Sequence, residues 1–253
     1  MRYAIISDVH GNAFALKAVL SDIKRRGADK IINLGDHFFG AIQPAETAAI
    51  MAGISFAAAI RGNKDRDTVE AIGKTDVPDA MQFVLDALDE PARDFLRNLP
   101  ETAQIDDVLF ACHGTPDDDN TYLTENVAGD GTVTLKSDNE LISLLKNVRE
   151  PIVLCGHSHV QRCMYLSNGQ IILNPGSVGL PAYIGAGSPG AIMQSYSPMA
   201  KYAIVEKTAN GFAIDQISCT YDWQAASALA LKHGNADWAG WILSGRALKK
   251  KQG

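Results

Sequence analysis

Apolar positions near the amino end fall in short continuous runs separated by stretches with helical spacing. Tyr3-Ala4-Ile5-Ile6, inside a strand-like run over residues 2–7, has the character of a strand buried on both faces. Ser7-Asp8-Val9-His10-Gly11-Asn12 follows it. Phe14, Leu16, Val19, Leu20 and Ile23 then recur at helical spacing until Gly27, a residue suited to ending a helix. Residues 30–34 predict a second strand that ends in Gly35-Asp36. Residues 44–52 predict a second helix with Pro44 in its first turn. Residues 55–60 predict a third strand, ending in Arg61-Gly62-Asn63-Lys64-Asp65. This alternation of strand and helix indicates parallel βαβ units.

Further along, residues 79–98 read as helix in one or two pieces. Residues 102–105 and 108–112 read as strands turning at Asp106-Asp107, and the second runs into His113-Gly114. Residues 116–134 are polar and rich in Gly and Asp, and read as a long loop over a site. A helix is expected over 139–147 and a strand over 152–155, ending at Gly156-His157-Ser158-His159. Strand-like pieces follow near 162–166, 171–174, 202–207 and 212–218, the last two joined as a hairpin at Asn210-Gly211. Residues 185–198, rich in Gly, Ser, Pro and Tyr, read as a flexible surface loop. Residues 223–248 carry helical spacing and two tryptophans, Trp238 and Trp241, expected to pack this segment onto the body or a partner. The tail Lys249-Lys250-Lys251 reads as a solvated charge cluster.

No repeat or linker divides the 253 residues, so one domain over 1–253 is expected, closing on the helical segment about 223–248. A chain of this size can bury a large core without disulfides. With 23 basic against 29 acidic residues the net charge is -6, which argues against a broad nucleic-acid-binding face. Cys112, Cys155, Cys163 and Cys219 form no C-x-x-C pair and read as small buried hydrophobes. Nothing resembles a signal peptide or an apolar run of membrane-span length. The expectation is a reduced cytoplasmic protein with no membrane association.

The chemistry gathers where strands end. Asp8 and His10, Asp36, Asn63, His113, and His157 with His159 each close a predicted strand, and four of the six histidines belong to this set. Strand ends are where α/β sheets place their sites. Residues two apart, as in Asp8/His10 and His157/His159, point the same way on an extended backbone. Imidazole with carboxylate suits divalent Mn, Fe, Zn or Ni, and two such ions can clamp a phosphate and activate water. Gly35, Gly62, Gly114 and Gly156, beside these residues, allow tight turns.

The ordered set Asp8-x-His10, Gly35-Asp36, Gly62-Asn63-x-Asp65, His113 and Gly156-His157-x-His159 resembles the calcineurin-like metallophosphoesterases. His113-Gly114-Thr115-Pro116 and Asn174-Pro175-Gly176-Ser177-Val178-Gly179 resemble a bacterial branch described as related to diadenosine tetraphosphatases and serine/threonine phosphatases. The resemblance implies a four-layer α/β/β/α sandwich with mixed sheets. It implies Asp8, His10 and His159 on one metal ion, Asn63, His113 and His157 on a second, and Asp36 bridging, with Mn favoured. Catalysis would fall to Asn63, Lys64 and Asp65, a water attacking phosphorus in line. The family often has histidine where this chain has Lys64. That lysine is expected to give electrostatic help and to favour substrates with good leaving groups. A small phosphodiester or nucleotide-type substrate is the leading expectation. A phosphomonoester or phosphoprotein comes second, and a catalytically weak metal-bound scaffold third. No oligomeric state is specified.

Plainer roles stand beside these. Asp8 and Asp36 taken singly are capping or turn carboxylates. His37 is as well read as an ordinary loop residue as a neighbour of the site. His233 reads as a favourable helix-end charge. Arg61 reads as a structural hydrogen-bonding group as readily as a phosphate contact, and Asp117-Asp118-Asp119 as a solvated loop.

Overall fold

The computed structural model describes residues 1–187 and 190–247. Leu248 and the lysine tail Lys249-Lys250-Lys251 lie outside the described residues, as do Ser188 and Pro189. The first half runs β1 (Arg2–Ile6), α1 (Ala13–Arg26), β2 (Lys30–Asn33), α2 (Pro44–Met51), β3 (Ala58–Ala59), α3 (Asn63–Ala71), α4 (Asp79–Ala87) and α5 (Glu90–Arg97). The middle runs β4 (Thr102–Ile105), β5 (Leu109–Cys112), β6 (Glu125–Val127), β7 (Val133–Leu135), α6 (Asp138–Leu144), β8 (Ile152–Leu154), β9 (Arg162–Tyr165) and β10 (Ile171–Asn174). The last part runs β11 (Ala182–Gly187), β12 (Gly190–Gln194), β13 (Ala200–Thr208), β14 (Gly211–Cys219), α7 (Trp223–Lys232) and α8 (Ala236–Ser244).

Two five-stranded mixed sheets, ordered β14-β13-β1-β2-β3 and β4-β5-β8-β10-β9, face one another. In the first, β1, β2 and β3 are parallel and β13 runs antiparallel to β1; in the second, β5, β8 and β10 are parallel. Side-chain alternation builds the layers. Tyr3 and Ile5 of β1, with Ala203 and Val205 of β13, meet Ile152 and Leu154 of β8 between the sheets. The alternate residues, Ala4 and Ile6, pack instead under Leu16 and Val19 of α1 and Leu96 of α5. On the far side, Val153 of β8 and Ile172 of β10 meet Leu141 of α6. Each fully buried Ile, Leu or Val side chain among these contributes about 1.5–3 kcal/mol. The four-layer sandwich with mixed sheets is therefore what the chain adopts.

Several elements differ from the sequence reading. The expected third strand pairs only over Ala58–Ala59, at the sheet edge. The stretch after it is a helix, α3, which the sequence reading did not predict. Its residues, NKDRDTVEA, carry no apolar stripe. The expected loop over 116–134 instead carries β6 and most of β7, a short antiparallel ribbon that closes at Leu135. Residues 185–198, expected as a loop, supply part of the hairpin β11–β12, with a register shift between Ile184 and Gly187. The carboxyl-terminal segment is two helices, broken at His233 and Gly234, whose φ is +79°. Among the described residues no helix is long and apolar enough to cross a membrane.

Candidate metal centre

The parallel strands deliver the candidate ligands to one edge. Asp8 follows β1, Asp36 follows β2, Asn63 opens α3 just after β3, His113 follows β5, and His157 and His159 follow β8. Past the ends of β1 and β2 the two loops stay hydrogen-bonded, Asp8 N to Gly35 O at 3.0 Å and His10 N to Asp36 O at 3.0 Å. The Asn174–Gly179 segment ties both sheets together there. Val178 N donates to Ser7 O (2.9 Å), the Ser177 hydroxyl donates to Asp8 O (2.7 Å), and Asn174 Nδ2 donates to Gly156 O (2.7 Å). A Cβ on Gly179 would stand 1.8 Å from Val9 O, so only glycine permits this approach.

Among the described residues eight non-glycine residues have positive φ, and Asp8, His10, Asp36, His157 and His159 are five of them. Left-handed backbone costs an L-residue on the order of 1 kcal/mol or more. Its concentration on one set of side chains is strain held where it aims functional groups.

The ring nitrogens are assigned by their backbone partners. Nδ1 of His10 faces Phe39 O at 2.8 Å, Nδ1 of His113 faces Leu34 O at 2.7 Å, and Nδ1 of His159 faces Leu180 O at 2.6 Å. A carbonyl only accepts, so each Nδ1 carries the proton and each Nε2 of the neutral ring offers a lone pair. Those lone pairs converge. His10 Nε2 lies 3.1 Å from His159 Nε2, and His159 Nε2 lies 3.2 Å from Asp8 Oδ1. Asp36 Oδ2 lies 3.6 Å from both His10 Nε2 and His113 Nε2. Asn63 Oδ1 is 3.2 Å from His113 Nε2. Asp8 Oδ1 is buried without a hydrogen-bond partner. Acceptors crowded on acceptors in a dry site require positive charge between them. Two groups of ligand atoms, Asp8 with His10 and His159, and Asp8 with Asp36 and His113, lie close enough to hold a cation. The residues present thus fit divalent metal.

Electrostatics without metal give the same message. Burial would raise the Asp8 carboxyl, yet His159 and His113 outweigh it and hold it at about 2. Asp36 is likewise lowered despite burial, chiefly by His113. Burial pushes His113 down, and the Asp36 and Asp8 carboxylates push it up further, to about 10. The carboxylates draw a proton where a metal cation would neutralise them.

His157 stands apart from the two groups. Its Nε2 donates to Asn120 O at 2.9 Å, which leaves Nδ1 as its lone-pair nitrogen. Tyr122 stacks on its ring with centroids 4.6 Å apart, and the Tyr183 hydroxyl donates to its carbonyl at 2.7 Å. Burial lowers it to about 4.

Asp65 is turned away from Lys64. Its Oδ2 accepts from Asp36 N and Gly62 N, each at 2.8 Å, and its Oδ1 from His37 N at 2.9 Å. His37, fully buried, adds Nδ1 to Asp65 Oδ2 at 2.8 Å, so it acts through Asp65. Lys64 N donates to Asp36 Oδ1 at 2.8 Å, while Lys64 Nζ pairs with Asp67 at 2.9 Å beside the cavity. Arg61 pairs with Glu101 at 2.6 Å, and Asp119 takes both Nε and Nη2 of Arg66 at 3.0 Å. Cys112 and Cys155 are buried, which raises both thiols far above reactivity.

A Cβ on Gly62 would stand 2.1 Å from Asp36 Oδ1 and 2.5 Å from Asp36 N. Gly62→Ala is therefore expected to push Asp36 out of line and weaken metal binding at least about tenfold. A metal titration with affinity unchanged would contradict this.

Over the centre lies a cavity of about 550 Å³. His10, Asp36, Asn63, Lys64 and His157 form its polar side, and aromatic residues form much of the rest. Trp238 and Trp241 reach it from α8, which packs with α7 on Ala41, Ile42 and Leu180.

Known proteins share the fold that carries this centre. The chain is 25% identical over 260 residues to an uncharacterized protein, MJ0912, of Methanocaldococcus jannaschii, covering 94% of this chain and 95% of that one. A solved metallophosphoesterase from Sphaerobacter thermophilus superposes with a TM-score of 0.74 at 23% identity, over 97% of this chain and 100% of the other. A hypothetical protein, PH1004, from Pyrococcus horikoshii OT3 does so with a TM-score of 0.69 at 19% identity, over 98% and 99%. The family model of the calcineurin-like phosphoesterase superfamily domain matches residues 1–193, and the chain belongs to that superfamily.

Proposed function

We propose that the protein hydrolyses a small phosphodiester or nucleotide-type substrate with two divalent ions, Mn favoured. The observation that carries this reading is the convergence of imidazole lone pairs on two buried aspartates, with Asp8 Oδ1 unpartnered. Asp8, His10 and His159 would hold one ion. Asn63, His113 and His157 would hold the other, the last through Nδ1. The equal 3.6 Å spacing of Asp36 Oδ2 from His10 and His113 supports Asp36 as the bridge. Two such ions supply Lewis-acid charge to the phosphate and a nucleophile from water.

The chain's own residues set the geometry. Backbone N–H of Lys64 fixes one Asp36 oxygen and leaves the other to the centre. The carbonyls of Phe39, Leu34 and Leu180 lock three imidazoles in the required tautomer. Lys64, on the cavity wall, brings positive charge to phosphate oxygens. A cavity of about 550 Å³ suits a small molecule. We read residues 1–253 as one functional unit working in the cytoplasm. Free Cys112, Cys155, Cys163 and Cys219 support that compartment. The Asn174–Gly179 segment supports the branch related to diadenosine tetraphosphatases.

Chelator-stripped protein is expected to turn over bis-p-nitrophenyl phosphate only after Mn²⁺ is added. Bound metal without turnover would shift the reading to a monoesterase, tested on p-nitrophenyl phosphate, and then to a metal-bound scaffold. Lys64→Ala is expected to lower kcat/KM about tenfold, by loss of charge at the phosphate, and more on poor leaving groups than on good ones. Unchanged rates on both would remove Lys64 from the mechanism.

A further inference from the structure

The family match ends at residue 193, yet one wall of the cavity over the candidate metal centre is built from later residues. Trp238 and Trp241 of α8 line it, together with Phe39 from the loop after β2. Trp238 stands edge-on to His10, with ring centroids 5.7 Å apart and planes at 82°. It meets Phe39 at 6.4 Å and 62°, so the two rings form a corner beside the candidate ligands. All three rings are only half-buried, with surface left facing the cavity. Gly40 makes room for this corner, since a Cβ there would stand 1.9 Å from His10 O and 3.2 Å from Trp238 Cζ3.

The cavity is thus divided. Its charged floor takes a phosphate. Its aromatic corner offers ring surface close by, with Lys64 Nζ over the Phe39 ring at 5.6 Å, whereas an aliphatic pocket would offer only apolar area. Stacking on such faces is how proteins hold bases of any sequence. Asn120 and Tyr122 also bring polar groups to the lining of this cavity, where the edge of a base has hydrogen-bonding groups to meet them and an acyl chain has none. A volume of about 550 Å³ lies within the range that encloses a small ligand.

We infer that α8, through Trp238 and Trp241 with Phe39, forms a stacking subsite that selects phosphate compounds bearing a nucleobase. The inference rests on the reading that the metal centre binds the phosphate, and it deepens that reading by naming what hangs from it.

Calorimetric binding to Mn²⁺-loaded protein tests it without turnover. Ribose 5-phosphate carries a hydroxyl where adenosine 5′-monophosphate carries the base. The nucleotide is expected to bind roughly tenfold or more tighter. Trp238→Ala and Trp238→Leu are expected to erase most of that preference while ribose 5-phosphate still binds. The leucine variant keeps apolar volume in case the alanine variant fails to fold. Equal affinities in the unaltered protein would overturn the inference. So would a preference that survives both Trp238→Leu and Trp241→Leu, or tighter binding of dodecyl phosphate than of the nucleotide. Hydrolysis of bis-p-nitrophenyl phosphate without base preference would sink the stacking subsite and leave the phosphoesterase. Base preference without hydrolysis would do the reverse.

Discussion

Asp36→Asn is expected to lower kcat/KM for phosphoester hydrolysis by roughly a thousandfold or more and to abolish the stabilisation of the fold by Mn²⁺. Both oxygens of Asp36 are committed. Oδ1 accepts from Lys64 N at 2.8 Å, and Oδ2 lies 3.6 Å from two imidazole Nε2 atoms. Asparagine keeps the shape and can keep the bond to Lys64 N. Its NH₂ then replaces Oδ2 and points a donor at His10 or His113. A neutral donor answers a lone pair as a cation does, but closes the place where the cation would sit. The charge lost is worth several kcal/mol in a metal-assisted reaction, and each 1.36 kcal/mol is a factor of ten. Folding of the metal-free protein is expected to survive, because Asp36 N remains bonded to Asp65. Ligand linkage gives the check. At about a hundred times its Kd a metal adds about 2.7 kcal/mol to stability, and the variant is expected to gain none of it. Metal-dependent turnover within tenfold of the unaltered protein would exclude Asp36 as the bridge.

The candidate ligands are more legible in the sequence than the residues that support them, for a physical reason. Asp8, His10, Asp36, His113, His157 and His159 are residue types rarely needed at strand ends for packing, so their spacing stands out. The continuous apolar runs of β1 and β8 likewise announce strands buried on both faces, and the structure places them in facing sheets. Helix α3 announced nothing, because its residues follow no apolar period. Its signal was Gly62 with Asp65 at the third helical position, where the carboxylate accepts Gly62 N at 2.8 Å. The hairpin β11–β12 was hidden by glycines that permit close strand approach, since a Cβ on Gly190 would stand 2.1 Å from Gly185 O. Composition alone makes such a segment look like a loop. The left-handed backbone at five candidate ligands is likewise a tertiary effect, imposed by the crossed bonding of the loops after β1, β2 and β8. Trp238 and Trp241 were legible as packing residues, but the sequence does not say that they pack beside His10.

Asp65→Asn is expected to cost stability and metal affinity together, which separates a positioning residue from a merely structural one. The carboxylate is 1% exposed and takes Asp36 N, His37 N and Gly62 N, with His37 Nδ1 as a fourth donor. Every partner donates, so a group with its own donors fits badly. If the amide oxygen occupies the Oδ2 place, it keeps three partners and its NH₂ confronts the His37 N–H. The opposite orientation confronts the other three. The better choice still leaves buried donors facing one another, at a cost of about 1–3 kcal/mol. In a protein of this size that lowers Tm by roughly 2–12 °C. Functionally, the Asp36 backbone loses its anchor and the carboxylate drifts from His10 and His113. Supporting residues of this kind change metal affinity about ten- to a hundredfold. The two effects are measured apart, Tm by thermal unfolding of metal-free protein and Kd for Mn²⁺ by titration well below that Tm. A lower Tm with an unchanged Kd would mean that Asp65 holds the loop but does not aim Asp36, and the Asp36 carboxylate would then owe its position to Lys64 N alone.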